Sequence, residues 1–83
     1  MKRVELYTKN YCPFCQRAKE LLRIKGVDFI EYDVTGDRDK EAEMQQRAGR
    51  KTVPEIFIDN QLIGGCDDLF SLDETGALDT LLA

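Results

Sequence analysis

Val4-Glu5-Leu6-Tyr7-Thr8-Lys9-Asn10-Tyr11-Cys12-Pro13-Phe14-Cys15 passes from a short apolar run through a polar loop into two cysteines three residues apart. Val4, Leu6 and Tyr7 predict a first strand over about residues 3–7, and Thr8-Lys9-Asn10 predicts the loop that leaves it. Beyond the loop, Phe14, Ala18, Leu21, Leu22 and Lys25 follow helical spacing. Pro13 suits the first helical position and Gly26 the residue after the last, so a helix is predicted over about 13–25. Cys12 then lies at a helix N-terminus and Cys15 one turn inside it, both sulfurs on one face.

That placement has chemical consequences. Unpaired backbone N–H groups and the positive end of the helix dipole favour a thiolate on Cys12, and Lys9 adds a nearby cation. A purely structural staple is a poor alternative, because closing a four-residue loop is worth only roughly 2 kcal/mol against about 3 for fifteen residues. Zinc normally takes four ligands, yet only Cys66 remains as a further thiol and the chain has no histidine. The same absence of an imidazole base disfavours cysteine-hydrolase chemistry. Thiol–disulfide exchange needs only a thiolate and a good leaving thiolate, so Cys12 and Cys15 read as a redox pair.

The rest of the chain supplies a frame for that pair. Val27 to Val34 predicts a second strand, with Ile30, Tyr32 and Val34 on one face and Val27 and Phe29 on the other. Asp37 to Ala48, with Ala42, Met44 and Ala48 among charged residues, predicts a weakly amphipathic helix ending at Gly49. Ile56-Phe57-Ile58 and Gln61-Leu62-Ile63 predict a hairpin turning at Asp59-Asn60 and ending at Gly64-Gly65. A helix follows Cys66-Asp67-Asp68 through Leu69, Phe70 and Leu72, and Gly76 separates it from a short final helix over Ala77 to Leu82. The order βαβαββα, with a parallel first pair and an antiparallel hairpin, predicts an α/β fold: a mixed four-stranded sheet with helices on both faces.

Eighty-three residues, 42% of them hydrophobic, suit one domain spanning residues 1–83. Residues 1–26 carry seven Lys and Arg against two acids, and residues 27–83 five against fourteen. With a net charge of −4 and no basic cluster beyond Lys2-Arg3, nucleic acid is not the expected partner. A positively biased site at the end carrying Lys9 suits an anionic small molecule better. No segment approaches the ~20 apolar residues of a membrane span, and the N-terminal run meets Glu5 and Lys9 too soon for a secretion signal. Three cysteines, an odd number, fit a reducing cytoplasm better than a disulfide-stapled secreted scaffold.

Three motifs together resemble those of the glutaredoxins: Cys12-Pro13-Phe14-Cys15 after a short strand, Thr52-Val53-Pro54 before the third strand, and Gly64-Gly65-Cys66-Asp67-Asp68 before a helix. The likeness covers almost all of residues 2–82 and is greatest to the small bacterial dithiol type. It implies a thioredoxin-like fold and a glutathione-dependent disulfide oxidoreductase. In that reading Cys12 attacks, Cys15 resolves protein disulfides, and glutathione is co-substrate with no tightly bound cofactor. The implied partners are glutathione and disulfide-bearing or glutathionylated proteins, acted on by a monomer. The resemblance further implies a cis peptide bond at Pro54 and a strand edge at Val53, with Thr52 alongside, facing the cysteinyl part of glutathione. Lys9 and Arg50 would meet the glycyl carboxylate, the N–H groups around Gly65, Cys66 and Asp67 the γ-glutamyl carboxylate, and the Asp67 side chain the ammonium. Phe14 departs from the tyrosine usual between the cysteines, keeping the ring and losing the hydroxyl. Two alternatives share this fold: a redoxin supplied by a flavoprotein reductase, and a cluster-bridged pair of protomers, since thiolates also hold iron–sulfur groups.

Overall fold

Strand β1, Val4–Thr8, is buried along its whole length because it lies inside the sheet. The computed structural model describes residues 2–83, so Met1 of the predicted domain lies outside the described residues. After β1 come α1 (Pro13–Ile24), β2 (Ile30–Asp33), α2 (Arg38–Ala48), β3 (Glu55–Ile58), β4 (Gln61–Gly64), α3 (Cys66–Thr75) and α4 (Ala77–Leu82). The sheet order is β2-β1-β3-β4, with β1 parallel to β2 and antiparallel to β3, and β4 antiparallel to β3. This is the predicted mixed sheet in a thioredoxin-like arrangement.

Side chains alternate between the two faces of a strand, and the core divides accordingly. Val4, Leu6, Ile56 and Ile58 meet Ala18, Leu21 and Leu22 of α1, Leu69 of α3 and Leu78 of α4. Each large aliphatic side chain fully withdrawn from water there contributes about 1.5–3 kcal/mol. On the other face Tyr7, Phe57 and Val34 meet Met44 of α2.

Beside that second cluster lies a polar network. Arg47 donates through both terminal nitrogens to Glu5, at 3.2 Å each, and to the Tyr7 hydroxyl oxygen, while its guanidinium stacks 4.0 Å from the Phe57 ring centre. Tyr7 in turn donates to Glu43. Burial, reinforced by Glu43, pushes the Tyr7 phenol up to about 12, so it remains a neutral donor at ordinary pH.

The elements differ from the sequence expectation in that Thr8 closes β1 instead of opening the loop, α3 begins already at Cys66, and β2 and α2 depart as follows. Strand β2 starts at Ile30 rather than Val27, because the Val27 N–H is committed to the Leu22 carbonyl at the end of α1, and the ladder with β1 begins at the Glu5–Ile30 pair. Val27 and Phe29 still pack on the α1 side and Tyr32 on the α2 side, whereas Ile30 is exposed on an edge strand. In α2, Met44 is buried but Ala42 is exposed, since two residues rotate a helix by ~200° and place Ala42 opposite Met44. The turn joining β3 to β4 has positive φ at both Asp59 and Asn60, as short hairpin turns demand.

Candidate active site

The cysteine pair opens α1. Cys12 is the N-cap, in extended conformation, and Pro13 fills the first helical position. The Cys15 N–H donates to the Cys12 sulfur at 3.3 Å, and no acid occupies the first turn to neutralise the helix N-terminus. A sulfur so placed is well set to carry negative charge. The loop that delivers it is closed by the Cys12 N–H bonding to the Lys9 carbonyl.

The two thiols are inequivalent. Cys12 is at the margin of burial, 9% exposed, whereas Cys15 is at 0%. Burial pushes the Cys15 thiol up to about 12, helped by the neighbouring Cys12 sulfur and opposed by the backbone of Lys9 and the ammonium of Lys19. Cys15 is thus a protonated thiol at ordinary pH, beneath the less deeply buried Cys12.

Across from the pair, the Cys12 thiol contacts the Val53 carbonyl at 3.7 Å, and the Val53–Pro54 peptide is cis. From there a groove of about 230 Å³ runs between Phe14, Arg50, Thr52, Val53 and Pro54 on one side and Gly65, Cys66, Asp67 and Asp68 on the other. Eight of the nine residues expected to bind the anionic ligand line this groove. Phe14 is 52% exposed there, so its ring is a groove wall rather than a core residue. Cys66 is nearly covered, and burial raises its thiol, which suits a lining role more than a nucleophilic one. The Asp67 carboxylate is exposed and has no ion-pair partner among the described residues.

Lys9 is placed differently. Its ammonium lies 3.0 Å from Glu41 of α2, in a neighbouring depression with Tyr11, Thr35 and Arg38. Arg50 lines the groove but is also engaged: its Nε lies 3.0 Å from the fully buried Glu55 carboxylate and its Nη2 donates to Asp68 at 3.3 Å. Thr52 donates to Glu55 as well, at 2.9 Å. Sequence reasoning assigned no role to Glu55 or Asp68. The signal for Asp68 was its spacing, three residues after the N-cap Gly65, whose N–H it accepts at 2.9 Å as the N3 half of a capping box. That N–H, with Arg50 behind it, holds the Asp68 carboxyl below its ordinary value against burial.

Arg50 therefore straps one wall of the groove to the other, and Gly64 makes room for the strap. Its φ is +120°, and an added Cβ would overlap the Asp68 carboxylate and sit 2.8 Å from Arg50 Nη2. Gly64→Ala is expected to lower stability by about 1–3 kcal/mol through backbone strain and loss of the cap. A urea denaturation midpoint equal to that of the parent chain would contradict this.

A larger depression of about 330 Å³ lies between Lys2, Lys25, Asp28, Asp79 and Leu82. It holds no thiol, and its Lys25 is already paired with Asp73 and Asp79.

The sequence and fold match those of known proteins. The family described as Glutaredoxin matches residues 4–63. Glutaredoxin 3 of Escherichia coli (strain K12) is 58% identical over 82 residues, covering 99% of each chain. The solution structure of glutaredoxin from Brucella melitensis superposes with a TM-score of 0.85 at 50% identity, over 96% of this chain and 87% of that one. A crystal structure of a buckwheat glutaredoxin–glutathione complex gives 0.88 at 30% identity, over 98% and 76% respectively. With an N-capping cysteine, a covered second thiol and a groove beside them, this chain belongs to the glutaredoxin family of thiol–disulfide oxidoreductases that use glutathione.

Proposed function

We propose that the chain reduces protein disulfides and glutathione mixed disulfides through the Cys12/Cys15 dithiol, with glutathione as electron donor. The observation that carries this reading is the Cys12 sulfur, which accepts a helix N–H and borders the groove through Val53. The Cys12 thiolate attacks a glutathionyl sulfur, the protein thiolate leaves, and the glutathionyl group is held on Cys12. A second glutathione thiolate attacks that group, releasing oxidised glutathione and restoring Cys12. With a protein disulfide, Cys15 instead attacks Cys12 Sγ and expels the substrate thiolate, leaving a Cys12–Cys15 disulfide for glutathione to reduce.

The groove has the polarity that glutathione demands. The free N–H groups of Cys66 and Asp67 at the start of α3 suit the γ-glutamyl carboxylate, and the unpaired Asp67 carboxylate suits the ammonium. Val53 offers a backbone edge to the cysteinyl unit, beside Thr52, Pro54 and Gly65, and Phe14 gives apolar contact. Arg50 has hydrogens on Nη1 for the glycyl carboxylate while Nε and Nη2 hold Glu55 and Asp68. Lys9 reaches the same carboxylate only by exchanging Glu41 for it. A monomer in a reducing cytoplasm, where glutathione keeps the dithiol reduced, is the setting proposed for this cycle.

Cys15→Ser separates the two activities. Turnover of a small glutathione mixed disulfide should stay within about threefold of wild type, while reduction of a protein disulfide should fall at least about tenfold, since only the latter uses the internal thiol. Steady-state rates on both substrates test this, and equal collapse of both would contradict the assigned roles. Turnover sustained by a flavoprotein reductase without glutathione would instead assign a different donor.

A further inference from the structure

Lys19 is a buried lysine to which the cycle proposed above gives no part. It is 9% exposed and lies on the same buried face of α1 as Cys15, Ala18, Leu21 and Leu22. Residues four apart on a helix are neighbours, their Cβ atoms roughly 5–6 Å apart, so Lys19 stands one turn beyond Cys15. Its ammonium is 2.9 Å from the Glu31 carboxylate of β2, and Thr8 at the end of β1 donates to the same oxygen at 2.7 Å. Three elements thus fix one cation carried by the helical turn that follows the covered thiol. A tie between α1 and an edge strand needs no such burial, because long lysine side chains ordinarily carry their charge out to water.

The charges around the pair are few. The groups whose charge or hydrogen bonds act on Cys15 are the Cys12 sulfur, the backbone of Lys9 and, one helical turn on, the Lys19 ammonium. Facing Lys19 are Glu31 and Asp33 from β2 and the neutral Thr8 from β1. Lys19 is therefore the cation that acts on the second thiol, and Glu31 tempers it.

We propose that Lys19 is a positioning residue for resolution by Cys15, its ammonium stabilising negative charge at Cys15 Sγ as that sulfur attacks. The proposal rests on the dithiol reading above. In the step, Cys15 gives its proton to water and its sulfur bonds to Cys12 Sγ. The bond from Cys12 Sγ to the substrate sulfur breaks, and the substrate leaves with the electron pair and takes a proton from solvent. The two cysteine sulfurs end oxidised as a disulfide and the substrate sulfur ends reduced.

The test uses the full chain carrying glutathione on Cys12, with formation of the Cys12–Cys15 disulfide followed by acid quench and mass spectrometry across pH. Each unit by which Cys15 becomes less acidic removes about tenfold of its thiolate and returns roughly threefold in nucleophilicity. Lys19→Gln should therefore move the pH–rate profile up by about one pH unit and slow resolution about threefold near neutrality, with Lys19→Arg restoring both to within about twofold. Glu31→Gln leaves the cation uncompensated and should move the profile the opposite way, which also covers the case of a Lys19→Gln chain that does not fold. A merely structural ion pair would lower thermal stability in both variants and displace neither profile, and that result overturns the proposal. Wild-type chain that forms no Cys12–Cys15 disulfide sinks the dithiol reading itself, whereas normal wild-type resolution with an unaltered Lys19→Gln profile sinks the lysine's role alone.

Discussion

Cys12→Ser should lose glutathione-dependent disulfide reduction by more than about 10³-fold, because a serine hydroxyl is neither ionised nor displaceable as a sulfur would be. The fold makes this substitution a clean probe. Position 12 is the N-cap of α1, and serine is among the preferred N-cap residues, accepting the N–H that Cys12 Sγ now takes from Cys15. Thermal stability should therefore match or slightly exceed that of the parent chain while turnover disappears. Initial rates on a small glutathione mixed disulfide, with circular dichroism melting in parallel, check both halves. Substantial residual turnover in a folded variant would move the nucleophile elsewhere, to Cys15 or Cys66.

Arg47→Ala carries the largest expected effect on stability. Glu5 is 4% exposed within the sheet, and Arg47 answers it with two parallel hydrogen bonds while lying over the Phe57 ring. Removing one member of a fully buried pair costs about 3–5 kcal/mol, and with Arg47 a quarter exposed the loss here should be about 2–3 kcal/mol, still a large share of the ~5–15 kcal/mol that holds a domain together. The Tyr32 hydroxyl at 2.8 Å and Arg3 at 3.5 Å remain as lesser partners. Adding Glu5→Gln should recover much of the loss, since the stranded charge is then gone.

The sign of the pH dependence follows from Glu5. Burial acts to raise its carboxyl, but the bonds from Arg47 and Tyr32 prevail and hold it below its ordinary value. A depressed folded-state value contributes stability above about pH 4.3, and that contribution is lost as pH falls through the folded value. Without Arg47 the burial effect is left with weaker opposition. The gap between the two chains should thus be widest near neutrality and narrow in acid. Urea denaturation at pH 7 and pH 4 tests this, and a gap independent of pH would remove Glu5 as the cause.

How far the sequence speaks depends on the distance over which its information acts. The cysteine pair, Pro13, Gly26 and the short apolar run of β1 are local signals, and the structure follows them within a residue or two. The three motifs that resembled glutaredoxins also carried the groove, because Phe14, Thr52-Val53-Pro54 and Gly65-Cys66-Asp67-Asp68 line it. Pairing across the chain was not legible. Nothing near Lys9 announces Glu41, and nothing near Arg50 shows that Glu55 lies fully buried beneath it with Asp68 as second partner. Strand β2 was overextended for a related reason: its β-rich composition runs to Val27, but that residue's N–H had already gone to Leu22.

The contact between Cys12 and the Val53 carbonyl spans 41 residues. A ribosome delivers the N-terminal third first, so both α1 thiols emerge while the opposite wall is still unmade. Contacts of such long sequence separation form late, after the loop between them has closed. A nascent or truncated chain therefore carries both cysteines before the groove beside them exists, and that groove is complete only when translation has supplied the segment from Arg50 to Asp68.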